Sequence, residues 1–280
     1  MHGGENMKYI PIQCKSVIRN VKDKMTPYNY DANIYRGCAH GCIYCYALYS
    51  HDYLNDKKFY DHIYYKENFC EVLEKEISSP RWKKEMINFG SISDSYQPAE
   101  KELKIMRDVL KLMIKYKNPI SIATKSKLIL RDLDLIEELS LIAEVQISCT
   151  ITCADERIQK ILEPHASSSL ERMKTLQIIK QKTHASTHIL LMPVVPYMND
   201  SYANLEAIYK LASQIGVEDI YCGALYLRGK TKPYFLNHIK AYDEDIYKKI
   251  SSIYYHKDLK NAYKQQLYQK VDQLKKQYNL

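Results

Sequence analysis

Long apolar runs are missing from this 280-residue chain. None approaches the roughly 20 residues that a membrane-spanning helix needs. The opening stretch, MHGGENMKYIPIQ, also lacks the apolar core of a secretory signal. No low-complexity linker, fixed-period repeat or break in composition separates one part of the chain from another. These absences argue against a membrane partner and a repeat array. They lead us to expect a cytoplasmic globular protein.

What is present fits that expectation. Hydrophobic residues make up 46% of the chain and charged residues 26%, an ordinary balance for a packed globular fold. Lys and Arg number 41 against 33 Asp and Glu, a net charge of +8. Such a balance suits nucleic acid or small anions without selecting either. Eight cysteines in a reducing compartment stay as thiols, so a tight group of them points to metal binding or catalysis rather than to disulfides.

Short apolar runs alternate with stretches of helical period, the pattern of repeated strand and helix units. Strands are expected over 33–37, 86–92, 119–124, 145–151, 187–192 and 219–225. Leu103, Met106, Leu110 and Met113 recur at helical spacing after Pro98, predicting a helix over 99–117. A second helix is expected over 200–215, capped by Asp200 or Ser201 and ended by Gly216. The expected fold is α/β: a partial (β/α)6 TIM-type barrel with a helical C-terminal extension. It divides as an irregular leader over 1–32, the barrel over 33–239 and the extension over 240–280.

The most informative segment is Arg36-Gly-Cys-Ala-His-Gly-Cys-Ile-Tyr-Cys-Tyr-Ala47. Thiolates are soft ligands, and intervals of three and two residues let Cys38, Cys42 and Cys45 reach different irons of one compact cluster. A structural zinc site closes with four ligands, and no fourth cysteine follows at a short spacing. A zinc knuckle or inert packed thiols are the alternatives. Cys149 and Cys153 form a second C-x3-C pair without a third partner, and Cys14, Cys70 and Cys222 are scattered.

The C-x3-C-x2-C spacing, with Tyr44 just before the last cysteine, resembles the signature of the radical S-adenosylmethionine (radical SAM) superfamily. Segments Gly90–Glu100, Thr124–Ser126, Arg131-Asp132, Ser148 and Glu163-Pro-His165 resemble its spore photoproduct lyase-related branch. The resemblance implies a [4Fe-4S] cluster on Cys38, Cys42 and Cys45, and S-adenosyl-L-methionine as cofactor. It also implies a one-electron reductant such as a flavodoxin or ferredoxin. The implied cofactor-binding residues are Tyr44, Tyr46, Ser93, Asp94, Lys125 and Ser148. Asp94 has a capping role as its alternative.

Several of these groups fall at the carboxyl ends of expected strands, where barrel enzymes assemble their sites. Strand alternation puts Phe89, Ser91 and Ser93 on one face, and Gln146, Ser148 and Thr150 on another. Where spore photoproduct lyase carries a hydrogen-donating cysteine, this chain resembles it with Ser91 in that place. That substitution argues against direct photoproduct repair and leaves the substrate open. Nucleic-acid binding is the alternative function, through the lysines and tyrosines of Lys260–Tyr278. The same segment repeats Leu267, Val271, Leu274 and Tyr278 at helical spacing, so packing against the barrel explains that face without any ligand and is the preferred reading.

Overall fold

The computed structural model describes residues 7–22, 26 and 28–280. Strands β1 (Lys8–Ile12), β2 (Ile18–Asn20), β3 (Tyr30–Ala32), β4 (Tyr35–Arg36) and β5 (His62–Lys66) come first. A 3₁₀ helix, Tyr46–Leu54, lies between the last two. Then follow α1 (Phe69–Ile77), β6 (Ile87–Phe89), α2 (Glu100–Leu103), α3 (Ile105–Tyr116), β7 (Ile120–Thr124), α4 (Leu133–Ser140), β8 (Val145–Thr150), α5 (Glu156–Leu162) and α6 (Ser169–Lys182). The remainder is β9 (Ser186–Val194), α7 (Tyr202–Ile215), β10 (Asp219–Ala224), α8 (Thr231–Tyr242), α9 (Glu244–Tyr255) and α10 (Lys257–Tyr278).

The main sheet runs β10-β9-β8-β7-β6-β3-β2. From β3 to β10 every pairing is parallel, and β2 adds an antiparallel edge on β3. This is the expected partial (β/α)6 barrel with a helical C-terminal region. Its core is aliphatic and aromatic on the outer faces of the strands, where Phe89 meets Phe69 at 6.2 Å between ring centroids.

Three details depart from the sequence expectation. The first barrel strand is Tyr30–Ala32 rather than 33–37, because the Asn33 side chain turns back to accept from Ile92 N at 2.9 Å. Tyr35–Arg36 instead joins a separate sheet, β1-β5-β4, so the leader over 1–32 is not irregular throughout. Its strand β1 pairs with β5, far away in sequence, which local periodicity does not reveal. Third, the helix expected over 99–117 breaks at Lys104, whose φ is 53°. The buried carboxylate of Glu100 takes the Met106 N–H at 2.9 Å and so starts α3 afresh.

The helix over 200–215 forms as expected. Ser201 is its cap, accepting from Asn204 N at 3.2 Å, and Gly216 ends it. Leu267, Val271 and Leu274 of α10 are buried against α7, α9 and β10, so this face of the Lys- and Tyr-rich segment packs on the fold. Phe89 also differs from its expected orientation. It sits in the outer core, and Asn88 faces the barrel interior in its place. Truncating the fully buried Leu274 to Ala should cost about 2–5 kcal/mol, read as a lower urea midpoint.

Candidate active site

The cysteine loop crosses the carboxyl end of the barrel, held there by its own backbone. At Gly37, φ is +86° and an added Cβ would lie 2.6 Å from the His62 carbonyl oxygen, so a side chain is excluded. The buried Gln97 amide clamps the loop: it accepts from Ala39 N at 3.0 Å and donates to the Gly37 carbonyl at 3.2 Å. Cys38 N donates to Phe59 O and Ile43 N to Leu162 O, at 3.2 and 3.0 Å.

Cys38, Cys42 and Cys45 all line one cavity of about 640 Å³. Burial is the leading cause that pushes each thiol up to about 12. Backbone N–H groups of His40 and Asp94 donate to the Cys38 sulfur, and that of Ala47 to Cys45. Among the described residues no three His, Cys, Asp or Glu side chains converge as ligands of a single metal ion. The three sulfurs therefore face one space without meeting at one point.

Tyr44 anchors the loop to the barrel through a fully buried chain of groups. Its hydroxyl donates to Glu163, and Arg172 donates both to Glu163 and to the Thr150 carbonyl. Burial opposes charge on Glu163, but Arg172 and Lys125 outweigh it and hold its pKa below the usual range. Burial likewise opposes the Lys125 ammonium, yet Cys42, Glu163 and Asp94 keep its pKa raised. Lys125 Nζ donates to Thr150 Oγ1 at 3.3 Å and lies 5.9 Å from the Tyr44 ring centroid.

The other expected residues also line this cavity, with different freedom. Asp94 accepts from Lys125 N at 2.6 Å, Thr124 Oγ1 at 2.7 Å and Tyr96 N at 2.8 Å. His40 Nε2 lies 3.1 Å from Asp94 Oδ2, the oxygen that also accepts from Lys125 N. Asp94 is thus a turn-forming carboxylate, held near 2 in pKa against burial by His40 and these donors; it does not cap α2. Ser93 Oγ donates to Tyr35 O at 2.9 Å, and the half-exposed Tyr46 donates to Ser91 O. Ser148 makes no side-chain hydrogen bond among the described residues, so its hydroxyl is free toward the cavity.

Sequence reasoning overlooked two sets of groups. Arg172 occupies a core position of α6, three and four residues from Ser169 and Leu176 on the buried face. An arginine inside that stripe was the available signal, since such a charge needs a buried partner. The second set is Asn88, Ser121 and His188, which with Gln146, already grouped with Ser148 by strand alternation, form the cavity floor. Asn88, Ser121 and Gln146 are laterally paired across β6, β7 and β8, and period-two alternation from Ser148 back to Gln146 leads to this layer.

Comparison with known proteins follows this geometry. The sequence pattern defining the radical SAM superfamily matches residues 32–212. A protein of Mycobacterium tuberculosis is 28% identical over 236 residues, covering 83% of this chain and 69% of that protein. One from Methanocaldococcus jannaschii is 29% identical over 194 residues, covering 69% and 70% respectively. Spore photoproduct lyase, solved with a dinucleoside spore photoproduct, superposes with a TM-score of 0.63 at 12% identity, over 82% of this chain and 66% of that one. A double mutant of it with S-adenosylmethionine also bound gives 0.63 at 12% identity, over 82% and 65%. The chain thus spans just under two thirds of those lyase chains, and the likeness is one of fold.

Replacing Arg172 with Met strands Glu163 in a dry interior. Unfolding free energy should fall by about 3–5 kcal/mol, measured by urea titration, and adding Glu163→Gln should recover part of the loss.

Proposed function

The chain belongs to the radical SAM superfamily, and on that basis we propose that Cys38, Cys42 and Cys45 ligate a [4Fe-4S] cluster whose remaining iron is left for S-adenosylmethionine. It is an enzyme; its family works with S-adenosylmethionine and an iron–sulfur centre, and its members generally need a reductant. The observation that carries the cluster reading is the donor set itself. Three thiols of one loop face one cavity, two of them receiving backbone N–H groups, as sulfur ligands that carry negative charge require.

When bound, the two cofactors supply reductive cleavage of the C5′–S bond and hydrogen abstraction from substrate by the resulting 5′-deoxyadenosyl radical. The protein supplies placement. Lys125, at the end of β7, offers its ammonium to the carboxylate of S-adenosylmethionine, and the free Ser148 hydroxyl on β8 offers a hydrogen bond to the same amino-acid portion. Ser93 and Asp94 act mainly by fixing the backbone around that portion, since their side chains already have partners. Tyr44 and Tyr46 border the cavity beside Cys45 and shape the adenosyl side. Glu163 and Arg172 hold Tyr44, and with it the loop, against β8.

The substrate sits on this reading over the floor of Asn88, Ser121, Gln146 and His188, which is polar, with burial lowering the His188 pKa and so favouring its neutral imidazole. Direct photoproduct cleavage draws no support from Ser91, Cys149 or Cys153, which leaves Tyr46 as the cavity-lining candidate donor. Ser91 donates to Asp31 Oδ2 at 2.6 Å, and neither Cys149 nor Cys153 is among the residues lining the cavity.

Anaerobic reconstitution with iron and sulfide should give visible charge-transfer absorption and dithionite-driven release of 5′-deoxyadenosine. Alanine at Cys38, Cys42 or Cys45 should abolish both. Stoichiometric zinc with no cleavage would overturn the assignment. Lys125→Met should keep its iron and weaken S-adenosylmethionine binding by about 10- to 100-fold, the worth of one charged hydrogen bond, as measured by calorimetry.

A further inference from the structure

Barrels of this kind ordinarily fill their interior with layers of Val, Ile and Leu side chains. Beneath the cysteine loop the layers here hold little bulk, and strand register defines them. Ala123 pairs with Ser148 and Ser148 with His188, making a middle layer. Two residues earlier on their strands, Asn88 pairs with Ser121 and Ser121 with Gln146. The cavity lining runs from Lys125 down to Ser121, four residues along β7 or about 13 Å at the usual rise of a strand.

The lowest layer is polar, enclosed and unsatisfied. Asn88 is 3% exposed and Ser121 6%, yet among the described residues neither side chain makes a hydrogen bond. Gln146 donates its amide N–H to Glu144 at 2.8 Å, which leaves Oε1 to accept. A buried carboxamide without partners costs stability, so the fold itself gains nothing from Asn88. The layer is also uncharged. Among the residues lining the cavity, the one carboxylate and the one ammonium, Asp94 and Lys125, stand at the loop end.

These groups match a particular chemistry. They stand on three neighbouring strands about 4.8 Å apart, so their complement is a molecule with several hydrogen-bonding groups spaced along it. Asn88 and Ser121 both donate and accept, whereas Gln146 Oε1 only accepts. A hydroxyl meets either need from a single atom, and a carbon chain bearing several hydroxyls meets all three. A charged group would find no counter-ion in this layer and would lose its hydration. Tyr46, Tyr221 and Tyr226, higher on the cavity wall, supply apolar surface for the C–H groups of such a chain.

We propose that Asn88, Ser121 and Gln146 form the recognition layer for a small, uncharged polyol substrate. The proposal rests on the function read above and gives its substrate a chemical class. The polyol enters end-on, with its far hydroxyls on this layer and its near carbons toward the loop end.

The test uses reconstituted protein with S-adenosylmethionine. Neutral probes are glycerol, erythritol and ribitol, deuterated at carbon; charged probes are glycerate and glycerol 3-phosphate. Binding is read by saturation-transfer NMR and calorimetry, and hydrogen abstraction by the mass of the 5′-deoxyadenosine released. At least one neutral polyol should bind and pass deuterium from carbon to C5′ of 5′-deoxyadenosine, and the charged probes should bind at least about tenfold more weakly. Asn88→Leu and Ser121→Ala should each weaken polyol binding by about 3- to 10-fold, the worth of one neutral hydrogen bond. Asn88→Leu should keep or raise the urea midpoint, since the fold makes no use of that amide. Failure of all three polyols to bind or to donate deuterium, equal binding of the charged probes, variants that match the wild type, or a midpoint lowered by Asn88→Leu would each overturn the recognition layer. A wild type that holds no iron or does not bind S-adenosylmethionine would instead overturn the cluster reading beneath it.

Discussion

One buried ion pair fixes the relation between the cysteine loop and the barrel. Glu163 and Arg172 are both fully enclosed, where either charge alone would be strongly unfavourable. Together they satisfy three elements at once: Tyr44 from the loop, the Thr150 carbonyl at the end of β8, and α6 through Arg172 itself. Lys125 then stands within reach of Thr150, in a field set by the same carboxylate. The loop, the strand end and the candidate cofactor-binding lysine are therefore a single electrostatic unit. Displacing any one of them exposes a charge that the interior cannot solvate.

Much of this was legible in the sequence because it rests on local signals. The cysteine spacing is readable within eight residues, and the parallel strands β7 to β10 follow from short apolar runs bounded by helical period. What escaped depends on contacts between distant segments. Strand β1 forms only because β5 offers it an edge, and Asn33 ends β3 only because Ser91 and Ile92 lie opposite. Glu100 interrupts a well-patterned helix through contacts with Tyr35, Arg131 and Met106. Ser93 and Asp94 were visible as candidates, but that backbone groups already occupy them was not.

The loop also divides two environments. Its inner side faces small molecules, in a cavity whose upper part carries Lys125 and Asp94 and whose lower part carries amides, hydroxyls and one imidazole. Its outer side bears guanidinium and phenol groups open to solvent. Hydrogen bonds from loop N–H groups to the Gln97 side chain and to the Phe59 and Leu162 carbonyls hold the loop between them. Motion on one side therefore need not disturb the other.

Among the described residues the barrel does not close, since β10 pairs only with β9. Met192 and Tyr221 line the cavity yet are 37% and 39% exposed. The interior therefore carries a gradient of dielectric response, from a dry end around Glu163 and Lys125 to a wet seam along β9 and β10. Two unit charges 4 Å apart attract by about 4 kcal/mol at an effective dielectric constant of 20 but only about 1 kcal/mol in bulk water. Charge on a ligand is thus read strongly at the cysteine-loop end and weakly at the seam, where shape and neutral hydrogen bonds are left to discriminate.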